Sequence, residues 1–216
     1  PLGAGLPADF QVNGPGPVGA DPFQALDFSK YFQNQGEATT LASITGPQTY
    51  DTGGFVPAAK PLPYTVNFEN DPGATTTVNQ VQVVTQLDPA FDATTFRLGA
   101  IKVGDITLTV PGGQSFFTQD IDFTATRGFI LRVTAGIDLY QKPATATWLI
   151  QAIDPLTGDV LRDSTRGLLG PNNAGGAGAG YVSWTAELAA GVATGTTVSA
   201  SARVIMDTQP PEMTAT

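Results

Sequence analysis

Neither cysteine nor histidine occurs anywhere in the 216 residues. The first absence excludes a disulfide framework and a thiolate metal site. The second removes Ser-His-Asp and Cys-His catalysis, imidazole metal ligation and histidine proton switching together. Positive charge is also scarce. Ten Lys and Arg stand against nineteen Asp and Glu, a net charge of −9 and a pI near 4.2. Such a surface repels phosphate backbones and anionic headgroups, so nucleic acid is not an expected partner. No apolar run reaches the ~20 residues of a membrane-spanning helix, and no transmembrane segment is expected. The start of the sequence has neither a basic n-region nor an h-region, so any secretory signal is expected to lie outside this segment.

What is plentiful is glycine and proline, 25 and 17 residues, spread unevenly and denser in the first sixty positions, which hold nine and seven of them. Proline removes a backbone donor and fixes φ, and glycine adds unfolded-state entropy, so residues 1–61 cannot supply a long helix or a central strand. They read as an extended arm. Within it, residues 22–34 (PFQALDFSKYFQN) form either one or two helical turns or an extended anchor, because periodicity does not separate the two over so short a run. Phe10, Val12, Phe23, Phe28, Tyr31 and Phe32, with Tyr50 and Phe55 further on, are the arm's apolar anchors. They suit packing against the chain's own body or against a neighbouring copy.

From residue 62 the pattern changes to a period of two. Tyr64, Val66 and Phe68 alternate with Thr65, Asn67 and Glu69, and a turn follows at residues 70–73 (Asn-Asp-Pro-Gly). Val81, Val83 and Thr85 repeat the pattern up to a Leu-Asp-Pro stop. Further strands are expected at 95–98, 101–103, 105–110, 115–123, 129–135, 144–153, 180–188 and 197–205. Strands this short, broken about every ten residues by Gly, Pro or Asp and accompanied by no long helix, indicate an antiparallel β-sandwich. Trp148 and Trp184 fall in strand patterns and read as core.

Residues 63–91, PYTVNFENDPGATTTVNQVQVVTQLDPAF, resemble the opening of the bacterial surface repeat known as DUF11, and residues 195–212 resemble its closing strand and Pro exit. The order of three further motifs resembles an enlarged relative in very long secreted or surface-anchored bacterial proteins. They are TFRLGAI (95–101), IDPLTGD (153–159) with Asp163, and PNN (171–173). The resemblance covers residues 62–212 and leaves the arm unmatched. It implies an immunoglobulin-like sandwich, an extracellular location at a bacterial cell surface, and no catalytic residue.

Candidate chemistry is sparse. Asp154, Asp159 and Asp163 gather round a glycine turn, in the manner of oxygen-rich loops that hold Ca²⁺ in extracellular modules. An EF-hand's spacing and closing Glu are missing, Arg162 is placed to compete for Asp163, and the same residues also make ordinary turns. Calcium is the one cofactor the sequence suggests. Asp120 and Asp122 share one strand face, where Arg127 or a cation is a candidate bridge. The glycine run at 175–180 precedes a strand rather than opening a helix, so it is not a phosphate loop. Glu37, Glu69 and Glu187 have no demonstrated partner for glycoside hydrolysis. Lys102, pointing opposite to Ile101 and Val103, is poorly placed for a buried Lys-Asn crosslink.

The expectation is therefore an all-β protein, an arm (1–61) followed by an antiparallel immunoglobulin-like sandwich (62–216). Its expected role is a non-enzymatic structural subunit of an extracellular fibre or surface layer, self-associating through the arm into a homopolymer. An adhesive or ligand-binding module of a large cell-surface protein, in contact with other surface proteins, is the alternative.

Overall fold

Period-two segments become strands in the computed structural model, which describes residues 41–49, 54–58 and 60–214. Residues 22–34 and the anchors Phe10, Val12, Phe23, Phe28, Tyr31, Phe32 and Tyr50 lie outside the described residues. In chain order the strands are β1 (Ala42–Thr45), β2 (Leu62–Glu69), β3 (Gln80–Gln86), β4 (Phe91–Val103), β5 (Ile106–Leu108) and β6 (Phe116–Phe123). They continue with β7 (Phe129–Asp138), β8 (Thr145–Ile153), β9 (Ala179–Leu188), β10 (Ala202–Met206) and β11 (Glu212–Met213). One helical turn, Thr124–Arg127, separates β6 from β7 and ends on Gly128 at φ 76°, a left-handed conformation that glycine adopts without steric cost. No helix among the described residues is long and apolar enough to cross a membrane.

The strands form two antiparallel sheets packed as a β-sandwich. One has the order β1-β2-β9-β4-β5, the other β11-β10-β3-β8-β7-β6. Two pairs interlock them. β3 lies beside β8 in the second sheet, β4 lies beside β9 in the first, and the chain crosses between sheets after β3 and again after β8. Ala42–Thr45, within the stretch read as arm, pairs with β2 from Ala42 opposite Phe68 to Thr45 opposite Thr65. That part of the arm is an edge strand of its own chain.

The expected strands 95–98 and 101–103 are one long strand, β4, which begins at Phe91 and slips register twice against β9. The first slip has a local cause. The Asp92 carboxylate accepts from the Thr94 N–H and hydroxyl, and the Thr95 hydroxyl donates to the Asp92 carbonyl while accepting from the Glu187 N–H. Side chains there replace ladder bonds. The second slip falls at Gly99 and Ala100, where the Ser183 hydroxyl donates to the Ala100 carbonyl at 3.0 Å. A Cβ on Gly99 would collide with that serine, so the glycine of the TFRLGAI motif serves the bulge. The last expected strand, 197–205, is shorter and shifted, because the chain stays irregular as far as Ser201.

Trp184 is the centre of the core. It pairs directly with Tyr64 across β2–β9 and stacks on it, centroids 4.4 Å apart. Phe96 stacks on Trp184 at 5.7 Å, and Phe91 meets it edge-on at 5.9 Å. Phe96 then reaches the other sheet to contact Trp148 at 6.1 Å. Both tryptophans are fully buried, and neither indole N–H has a hydrogen-bond partner among the described residues. Ring stacking and area burial therefore carry this contact, against the cost of two unpaired donors. Truncating Trp184→Ala is expected to cost ~3–5 kcal/mol by urea denaturation. Trp184→Phe, which keeps an aromatic ring and removes one unpaired donor, should cost less than half as much; equal losses would contradict the stacking argument.

Candidate functional site: an end strap and an open edge

The acidic loop after β8 uses its carboxylates locally. The Asp154 carboxylate accepts from the Leu156 N–H at 2.8 Å, the Asp154 N–H donates to the Asp159 carbonyl, and the Gly158 N–H donates to the Asp154 carbonyl. Asp163 accepts from the Thr165 hydroxyl and N–H and from Arg166 at 2.7 Å. The Thr165 hydroxyl, then Arg166, hold its carboxyl well below the usual carboxylate range. Its ion-pair partner is thus Arg166, where the sequence pointed to Arg162. Among the described residues no three acidic side chains converge where they would hold a metal ion, so Asp154, Asp159 and Asp163 are not brought together as a site.

Asp120 and Asp122 do share a face of β6. Asp120 takes a two-pronged bond from Arg132, its cross-strand partner on β7, while Asp122 accepts from the Thr124 N–H. Arg127 does not bridge them: it pairs with Asp105 at 2.7 Å and lies over the Phe123 ring. Glu69 and Glu187 sit at opposite ends of the β2–β9 ladder. Glu69 is opposite Ala179, eight residues before Glu187 along β9, roughly 27 Å at strand rise, far beyond the separation of a hydrolase carboxylate pair. Glu37 lies outside the described residues.

Two motifs of the resemblance, IDPLTGD and PNN, lie in a strap running from β8 to β9. Asn70, read from the sequence as a turn residue, and Asn172 of the PNN motif fasten it. The Asn70 amide donates to the Leu169 carbonyl at 3.2 Å and to the Thr76 carbonyl at 3.0 Å, and the Asn70 N–H donates to the Gly178 carbonyl. The Asn172 N–H returns a bond to the Asn70 carbonyl, and its side chain bonds Glu69 and the Gly178 N–H. The Asn79 amide donates to the Asp163 carbonyl, while Asp207, at φ 50°, accepts from the N–H groups of Asn79 and Gln80. Asn70 is 3% exposed. That burial was the missing signal: a buried polar side chain must find partners, but burial outside a strand has no periodicity to reveal it.

The other distinctive feature is an edge. β6 has a neighbour, β7, on one side only among the described residues. The other described edges are shorter: four residues in β1, three in β5 and two in β11. β6 runs for eight residues, FFTQDIDF, without proline or lysine, and Phe116 is 59% exposed. Its inward side chains Phe117, Ile121 and Phe123 are only partly covered by the core. A separate cleft of about 680 Å³ lies between residues 44–58 and the loop after β9, walled by Pro47, Phe55, Val56, Tyr64, Leu188 and Val198.

Comparison with known proteins returned no matching family model, no matching curated protein and no matching solved structure.

The strap generates a testable expectation. Asn70→Ala removes the donor to the Thr76 carbonyl and one of the two donors to the Leu169 carbonyl, which keeps the Val78 N–H, and is expected to cost ~1–3 kcal/mol. Amide exchange should quicken across 168–178 and stay unchanged in β7 and β8. The near-isosteric Asn70→Asp, which points an acceptor at two acceptors, should be at least as damaging; if it is neutral, the strap is not held through Asn70.

Proposed function

We propose that this chain is a structural subunit of an extracellular bacterial fibre or surface layer, and that copies join through the N-terminal arm. The carrying observation is the open eight-residue edge of β6. A strand edge presents unpaired N–H and C=O groups, and sheets that must stay solitary blunt such edges with Lys, Pro, bulges or brevity. β6 has none of the first two, no register slip against β7, and full length. Asp120 is its one charge that an arginine neutralises. A peptide strand added there gains main-chain hydrogen bonds along its whole length.

The immunoglobulin-like type of the sandwich and the location at a bacterial cell surface belong to the same proposal. The interlocked β3–β8 and β4–β9 pairs support the first. The second is supported by the DUF11-like motifs, the acidic composition and the lack of cysteine and histidine. The role is mechanical, and no residue is assigned to catalysis.

A second reading rests on the cleft beside Tyr64, whose volume of about 680 Å³ falls in the range of small-ligand sites. In that reading the chain is a ligand-binding or adhesive module of a larger surface protein.

Deleting residues 1–40 separates the two. Because β1 belongs to the sheet, the cut must stop short of Leu41. On the proposed function the shortened protein loses polymerisation and keeps the melting temperature of the full chain to within a few degrees; unchanged polymerisation would overturn it. On the second reading ligand binding survives the deletion.

A further inference from the structure

We infer that copies of this chain also stack end to end, the turn that leads out of β8 in one copy docking on the turn that leads into β8 in the next. Leu156 of the first copy packs on Leu139 and Tyr140 of the second, and Asp159 pairs with Lys142. The contact goes beyond the arm-mediated joint and does not depend on it.

β8 carries a turn at each end. Thr145 pairs with Asp138 of β7, so residues 139–144 close the β7–β8 hairpin. At the far end Ile153 bridges to Val160 and the Asp154 N–H donates to the Asp159 carbonyl, so residues 154–159 form a second turn. The nine residues of β8 hold the two turns roughly 30 Å apart. Five large apolar side chains are exposed among the described residues, and three of them sit on these turns: Leu139 and Tyr140 on the entry turn, Leu156 on the exit turn. Tyr140 is 97% exposed and Leu156 93%. Exposed apolar side chains scattered singly are ordinary, but here they mark both ends of one strand.

Both turns are held in the same way. The Asp138 carboxylate accepts from the Tyr140 N–H at 2.8 Å, and the Asp154 carboxylate accepts from the Leu156 N–H at 2.8 Å. In each turn an aspartate thus fixes the backbone of the exposed apolar residue two positions on. A group already fixed loses less conformational entropy when a partner covers it.

Charge decides which ends meet. The ion pairs among the described residues are Arg127–Asp105, Arg132–Asp120 and Arg166–Asp163, so Lys142 on the entry turn and Asp159 on the exit turn have no such partner there. Two entry turns brought together offer Lys142 only Asp138, which the Tyr140 N–H already occupies. Two exit turns set Asp154 and Asp159 against the same pair, while Arg162 lies outside the turn, beyond the Ile153–Val160 bridge. An exit turn on an entry turn places Asp159 beside Lys142 and apolar side chains against apolar ones, which is the complementary arrangement. A contact between opposite ends repeats along β8 without closing. Three apolar side chains and one exposed ion pair make a weak joint by themselves, and it strengthens where copies are already linked by another contact. An axial contact of this kind, added to a lateral one at the β6 edge, builds a layer rather than a single file.

The absence of native cysteine gives a direct test. Full-length chains carrying Tyr140→Cys are mixed under oxidising conditions with full-length chains carrying Leu156→Cys, and linked peptides are read by mass spectrometry. Stacking of opposite ends brings positions 140 and 156 within disulfide reach and predicts links between them about tenfold or more above 140–140 or 156–156 links. An excess of like-end links, the statistical proportions of random collision, or no link at all overturns the inference. Polymers that form normally without the mixed link remove this contact and leave arm-driven assembly standing; a mixed link in protein that does not polymerise keeps the contact and removes the arm reading. Charge reversal is the second measurement, because Lys142 and Asp159 are exposed and their replacement leaves the core untouched. Lys142→Glu or Asp159→Lys, placed in both chains of the mixture, should each cut mixed linking about threefold or more at an unchanged melting temperature. Chains carrying both reversals should recover it, and a double variant no better than the single ones contradicts the pairing of Lys142 with Asp159.

Discussion

The stack of Tyr64, Trp184 and Phe96 is the contact on which the remaining architecture depends. Its three rings come from β2, β9 and β4, and its last ring meets Trp148 of the facing sheet. Because Trp184 sits on the central strand of its sheet, the stack fixes both the order of that sheet and the distance to the other. The two register slips of β4 follow from it. Side chains at Asp92, Thr94 and Thr95 and the bulge at Gly99 take up the mismatch that remains when Phe91, Phe96 and Leu98 must all face the core.

The two ends of the molecule differ in how completely they are closed. One is laced by the strap, where side chains of Asn70, Asn79, Asn172 and Asp207 bond backbone groups of the crossing segments. Among the described residues, the side bounded by β5 and β6 lacks such covering: the edge strand of one sheet has three residues and that of the other eight, and Phe117, Ile121 and Phe123 are only partly buried. An added strand would relieve that asymmetry, which is why function is assigned to the edge rather than to the motif-rich loop.

Much of the fold was legible because alternation is a strong signal in half-buried strands. β2, β3, β7, β8 and β9 carry it over seven or more residues, and the positions expected to be apolar and inward, among them Val66, Val83, Trp148 and Trp184, are buried. Where the period fails, so did the reading. β4 appeared as two strands because its slips reset the alternation, and β1 was hidden in a Gly/Pro-rich context that its four residues could not override. The acidic cluster after β8 was visible as composition, but composition does not specify the local hydrogen bonds, Asp154 with Leu156 and Asp163 with Thr165, that divide it among separate turns. The open edge was not legible at all. A sequence can announce a strand at 116–123, yet which strand lies beside it is decided by crossovers between sheets, and those are set by the packing of distant residues such as Phe96 against Trp148.

The central claim, that this sandwich is completed by another copy of itself, is tested most directly by the mass of the full-length protein in solution, followed by light scattering over a dilution series. Strand exchange between copies predicts a mass that rises without a fixed stoichiometry as concentration increases, because a head-to-tail joint does not close. A single monomeric mass of 22.3 kDa at every concentration would contradict it.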